Sequence, residues 1–185
     1  AVGTGGKTVA FRGELSAEQS GFTSDIYTKV NIDVASIDTD SALVDGTFKP
    51  SVAGYYQVNG SVTQACTPVS TQTVSAIYKN GVAEVYGNAV LSDSAYISNV
   101  SDVIYLNGTT DYLELWGRVV STGTCGISSS LEQTLLSAVL VSGGSGDSIW
   151  TEEDGVATYD GAVEANELTV NGQAFNIADL PSLPD

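Results

Sequence analysis

The chain has 185 residues and carries six Lys and Arg against 22 Asp and Glu, a formal charge of −16, with no histidine and no methionine. Without an imidazole there is no Ser-His-Asp or Cys-His nucleophile pair and no histidine-ligated zinc or haem. So few cations also argue against nucleic acid as a partner, because affinity for phosphate backbones rests on Lys and Arg. Charged residues make up 15% of the chain and hydrophobic ones 42%, a balance suited to β-sheets rather than to an unfolded chain. The longest apolar runs, such as residues 137–141 with their neighbours, fall far short of the roughly 20 residues that span a bilayer, so no membrane insertion is expected.

Along the chain, apolar and polar residues alternate in short blocks separated by turn residues, the period of a strand with one wet face. The blocks are residues 9–12, 26–34, 46–50, 54–62, 74–78, 82–86, 96–106, 111–120 and 135–141. Asn80-Gly81 lies between two of them and predicts a hairpin, because a type I′ turn needs positive φ at both central positions. In block 111–120, Leu113, Leu115 and Val119 share one face while Tyr112, Glu114, Trp116 and Arg118 share the other. No window of helical length shows a 3.6-residue period with caps. The pattern predicts an all-β, antiparallel sandwich or jelly roll.

The Gly/Ser joint Ser142-Gly-Gly-Ser-Gly146 marks a boundary, giving a body at 1–141, a linker at 142–148 and a β-rich extension at 149–185. In the extension, residues 150–161 read as a hairpin tipped by Asp154-Gly155, and 168–175 as a strand pair turned at Asn171-Gly172. So few apolar side chains cannot readily sustain a separate fold. Trp150, Tyr159, Leu168, Val170 and Phe175, with Leu180 and Leu183 of the Pro-punctuated tail, are therefore expected to dock on neighbouring chains.

Carboxylates are the only plentiful reactive groups. Of Glu114, Glu132, Glu152, Glu153, Glu164 and Glu167, no two share a strand face with aromatics arranged as a sugar subsite, so no enzymatic activity is expected. Asp38, Asp40 and Asp45 are candidate calcium ligands, but the Glu that completes an EF-hand is missing, and a solvated acidic loop is the expectation. No other cofactor is implied. Asn59, Asn99 and Asn107 each open an Asn-x-Ser/Thr triplet, which matters only on a eukaryotic secretory route. Cys66 and Cys125 sit in no Cys-x-x-Cys pair and read as two small buried hydrophobes or as a single staple.

Residues 45–56, Asp-Gly-Thr-Phe-Lys-Pro-Ser-Val-Ala-Gly-Tyr-Tyr, resemble the signature of the complement globular-head domains, relatives of the tumour necrosis factor ligands. There a Gly-x-Phe-x-Pro turn feeds a Gly-x-Tyr strand. Val9-Ala-Phe11, Tyr78-Lys-Asn-Gly81, Leu106-Asn-Gly108 and Asp111-Tyr-Leu-Glu-Leu115 follow in the family's order, so the resemblance covers residues 8–141. The closing strand lacks the family's Phe-Ser-Gly, and two Thr separate Gly108 from Asp111. The resemblance implies a jelly roll that assembles as a homotrimer, one sheet packing around the three-fold axis. Taking strand 54–62 as the neighbour of strand 111–120, it places Tyr55, Tyr112, Trp116 and Arg118 at that interface. It also implies that Cys66 and Cys125 leave at opposite ends of the sandwich, too far apart for a bond that needs Cα atoms within about 7 Å.

The extension looks like the short ladder segments of tailed-bacteriophage fibres and virion decoration proteins. That likeness implies a trimeric protein of the virion surface, a capsid decoration (cement) or head-fibre protein with capsid or tail proteins as partners. One alternative is the receptor-binding tip of a tail fibre, with loops 67–73 and 121–125 touching a host surface glycan. Another is a secreted complement-like binding module, which a Gly-x-y stalk absent from this sequence would support.

Overall fold

The computed structural model describes residues 8–68, 72–91, 97–129 and 133–143, together with four short strands between 150 and 175. Its strands are β1 (Ala10–Glu14), β2 (Gln19–Phe22), β3 (Thr28–Lys29), β4 (Val34–Asp38), β5 (Leu43–Val44), β6 (Thr47–Phe48) and β7 (Gly54–Thr67). They continue with β8 (Gln72–Lys79), β9 (Val82–Leu91), β10 (Ile97–Leu106), β11 (Leu113–Val120), β12 (Thr124–Ile127) and β13 (Leu135–Gly143). No helix occurs among the described residues. One antiparallel sheet runs β2-β12-β7-β13-β1-β4, with β10 on the other side of β7; the second runs β5-β6-β11-β8-β9, with β3 on β11. The expected all-β jelly roll is what the chain forms.

The inward faces meet as the period-two pattern requires. Tyr56, Val58 and Val62 of β7, Leu113, Leu115 and Val119 of β11, and Phe11, Ile77 and Leu136 are all buried. Phe48 stacks on Phe11 with ring centroids 4.9 Å apart and meets Tyr56 edge-on at 5.5 Å. The Tyr56 hydroxyl donates to the Val52 carbonyl at 2.7 Å, and burial, reinforced by the charge of Asp40, pushes its phenol up to about 12. Block 26–34 departs from expectation. Only Thr28–Lys29 pairs with β11, and the next residues leave the ladder because Val30 and Ile32 are drawn fully into the core. The Val30 amide keeps a partner by donating to Leu115 O at 2.8 Å.

Asn80 and Gly81 turn β8 into β9 with φ of 54° and 78°, the conformation that the Asn-Gly pair favours. Asp111 braces this turn, accepting from Asn80 Nδ2 at 2.8 Å and lying 3.2 Å from Lys79 Nζ, and these contacts hold its carboxyl below the usual range. Along one side the two sheets are joined through β9 and β10. Ser98 Oγ accepts from the Ser75 amide and donates to Asn88 O, each at 2.7 Å, while the Asn99 amide donates to Asn88 Oδ1 at 2.6 Å. Gly87 is required there, since a Cβ would lie 2.2 Å from Asn99 O.

The cysteines overturn the expectation of separate thiols. β7 continues to Thr67, five residues past the block read from the sequence, and its end pairs with the short strand β12 that turn-rich composition concealed. Cys66 and Cys125 stand directly opposite each other in that ladder and form a disulfide, with Cα atoms 4.1 Å apart.

Residues 147–185 form a second compact unit. In it β14 (Trp150–Glu153) pairs with β15 (Val156–Tyr159), setting Trp150 opposite Tyr159. β16 (Leu168–Val170) pairs with β17 (Gln173–Phe175), setting Leu168 opposite Phe175. Leu180, Leu183 and both hairpin tips lie outside the described residues.

The disulfide closes a loop across a sequence separation of 59 residues, so replacing both cysteines by Ser should cost about 2–4 kcal/mol. Calorimetry should show a melting temperature lower by roughly 5–15 °C, with the fold retained by circular dichroism. Asp111→Ala should cost on the order of 1 kcal/mol at neutral pH. Because the folded-state carboxyl is depressed, its contribution is complete above the ordinary value of 3.8 and disappears as pH falls through the lower folded value. Denaturant titrations of the two proteins should therefore converge in acid.

Candidate functional site: two outward sheet faces

Because side chains alternate along a strand, a core-forming sheet presents a second set outward, and on the first sheet that set mixes apolar side chains with mostly uncharged polar ones. Pairing registers define its rows. Ile37, Arg12, Ser137, Asn59 and Ser101 form one across β4, β1, β13, β7 and β10; Ala10, Val139, Gln57 and Val103 form the next. Tyr55 stands opposite Tyr105 in the following row, their rings edge-to-face with centroids 5.3 Å apart. Val34, Ile37, Tyr55, Val103, Tyr105, Val139 and Val141 are each between 42% and 57% exposed. The charged side chains among the outward positions of these strands are Arg12 and Glu14, which pair with each other, and β10 also exposes Asp102 between Ser101 and Val103. Neutral amides and hydroxyls fill the rest, with Gln57 Nε2 donating to Ser101 Oγ at 3.0 Å and Ser101 Oγ to Asn59 Oδ1 at 2.9 Å.

The second sheet presents a different surface. Trp116 stacks on Tyr78 with centroids 4.3 Å apart and planes 15° apart, and Tyr27 lies 6.4 Å from Tyr78 and 5.3 Å from Tyr86. Glu114 accepts from Trp116 Nε1 at 3.1 Å and pairs with Lys29 Nζ at 3.0 Å. Arg118 lies 5.9 Å from the Tyr27 ring centre, pairs with Asp25 and donates to Gln72 Oε1 at 2.7 Å. Burial pushes the Tyr27 and Tyr78 phenols above their ordinary value.

These two faces divide the residues expected at a single interface. β7 is not the neighbour of β11; the two strands lie in different sheets. Tyr55 therefore opens on one outer surface, while Trp116 and Arg118 lie on β11, whose outward side belongs to the other, and Tyr112 immediately precedes that strand. The four do not form one patch. Val103, Tyr105, Val139 and Val141 were missed, because period-two reading finds which residues point together on one strand but not which strands are adjacent.

Two of the calcium candidates spend their carboxylates on loop amides instead of gathering around one point. Asp38 accepts from the Ala42 and Leu43 amides at 2.8 and 3.0 Å, and Asp40 from the Ser51 amide and hydroxyl at 2.6 and 2.7 Å. Asp45 uses its backbone carbonyl to accept from Lys29 Nζ at 3.0 Å. Among the described residues no three His, Cys, Asp or Glu gather in a way that could hold a metal ion. By contrast, the two loops considered for glycan contact approach each other at their described residues Pro68 and Ser121. The disulfide links the ends of β7 and β12, and Ser121 Oγ donates to Pro68 O at 3.2 Å.

No protein-family model matches the chain, and no curated protein matches it. Solved structures do. Murine APRIL in its pH 5.0 crystal structure aligns with a TM-score of 0.55 at 15% identity, over 73% of this chain and 100% of its own. The Eiger TNF of S. frugiperda aligns with a TM-score of 0.53 at 11% identity, over 72% of this chain and 91% of its own. The globular domain of zebrafish complement 1qA protein covers 72% of this chain at 10% identity with a TM-score of 0.48. The first two carry the likeness, which at such identities is one of fold: the body of the chain is an antiparallel jelly roll of the TNF type.

Proposed function

We propose that this protein is a non-enzymatic homotrimer that assembles through the outer face of its first sheet and serves as a decoration or head-fibre protein on a virion surface. The observation that carries the assembly reading is the chemistry of that face. A chain with a formal charge of −16 leaves few charges on the outer side of five neighbouring strands: the internally paired Arg12 and Glu14, and Asp102 exposed on β10. Exposed Val103, Val139 and Val141 beside the Tyr55–Tyr105 pair form a surface whose burial against other copies releases water from apolar area. Three-fold rather than two-fold assembly rests on the resemblance to the complement globular-head and TNF families. The virion setting rests on the likeness of the two short hairpins in the extension to fibre and decoration segments. A disulfide is also in keeping with a protein that works outside a reducing cytoplasm.

Three copies bring together about −48 charges by tripling −16, so repulsion outside the interface opposes assembly. Sedimentation should show a trimer at micromolar concentration that tightens as salt screens this repulsion. Val139→Lys, at a residue 46% exposed, should leave a folded monomer. A wild-type protein that stays monomeric at any salt concentration would sink the assembly reading. Cryo-electron microscopy of intact particles tests the virion reading: density on the capsid is expected, density at the tail favours a receptor-binding fibre tip, and absence from particles overturns both.

A further inference from the structure

We propose that the outer face of the second sheet is a binding ledge for a neutral hexopyranose chain, with Tyr86, Tyr27 and Trp116 as stacking surfaces and Gln72, Asp25 and Arg118 as partners for sugar hydroxyls. Four aromatic residues from three neighbouring strands and the segment leading into β3 converge outside the core, beside Ala76, which is fully buried. Tyr78 and Trp116 support each other by stacking, and Tyr27 bridges from Tyr78 to Tyr86, which remains 57% exposed. Such rings offer the negative faces on which the C–H side of a pyranose packs. At their edge, Arg118 holds Asp25 and Gln72 in one hydrogen-bonded group, with Arg118 Nε 2.7 Å from Asp25 Oδ1, so acceptors and donors stand together at fixed spacing.

Charge selects among ligands. Both cations of the ledge already have carboxylate partners, Lys29 with Glu114 and Arg118 with Asp25. An acidic sugar would have to compete for them against a strongly acidic protein. A neutral sugar needs no such exchange: its hydroxyls take hydrogen bonds otherwise made to water. The face's remaining open in the assembled protein rests on the trimer reading; the ledge itself is built within one chain.

Trp116 is one of two tryptophans, so Trp150→Phe leaves its emission as the reporter. Oligosaccharides of glucose, mannose, galactose and N-acetylglucosamine should be titrated in turn, beside sialylated and uronic-acid chains. Saturable change in emission is expected with at least one neutral chain. Tyr86→Ala and Gln72→Ala should each weaken it at least tenfold while the melting temperature stays within a few degrees of the parent. No saturable response to any neutral chain, a response to acidic chains alone, or full affinity in Tyr86→Ala would overturn the proposal. Sedimentation of the same samples separates this outcome from a failure to trimerise, since a monomer that binds sugar refutes only the assembly reading.

Discussion

The architecture depends on the register of β7. Over Gly54–Ser61 this strand is paired on both sides, with β10 and β13, and over Gln64–Thr67 it pairs with β12. Burying Tyr56, Val58 and Val62 contributes roughly 1.5–3 kcal/mol apiece and commits Tyr55, Gln57 and Asn59 to the outside. A slip by one residue would send the amides of Gln57 and Asn59 into the core and expose Tyr56, so one register is strongly favoured. Gly60 enforces the same choice. A Cβ there would lie 2.7 Å from the Leu115 side chain of the facing sheet. Once β7 is held, the apolar outer face and the position of Cys66 beside β12 both follow.

The acidity of the chain takes on a structural meaning in this frame. Several of its carboxylates secure loop amides rather than assembling a reactive centre: Asp38 those of Ala42 and Leu43, Asp40 that of Ser51, Asp111 that of Asn107. Asp33 accepts from the Ser16 amide at 2.7 Å and from its hydroxyl, contacts that hold its carboxyl below the usual range. An ionised carboxylate is a strong acceptor for such amides. Irregular connections between short strands need many of them. The Asp-rich stretch around residues 38–45 thus has the composition of a cation site and the geometry of a loop held by its own hydrogen bonds.

Strand content and the inward sets were legible in the sequence because they depend on local alternation. Leu113, Leu115 and Val119 all proved buried, and the Asn80-Gly81 turn has the backbone its residues favour. The features that escaped notice depend on partners distant in the chain. β2 and β12 are four residues each and contain Gly21 and Gly126, so neither shows a clear period, yet without β12 the cysteine pairing is invisible. Tyr55 and Trp116 looked equivalent as outward aromatics. Only strand order, in which β7 and β11 belong to opposite layers, separates them into two surfaces.

That separation bears on which surface can meet another copy. Covering the second face would desolvate the exposed Arg118–Asp25 pair, and removing paired charges from water costs several kcal/mol per ion unless the new surroundings repay it. Covering the first face desolvates mainly valines, tyrosines and amides that already bond one another, and the valine area alone returns about 25 cal/mol per Å². The two surfaces therefore suit different partners. A broad, dry contact with identical chains suits the first, whereas a small hydroxylated ligand suits the second, where it can use the ion-paired side chains without stripping them of water.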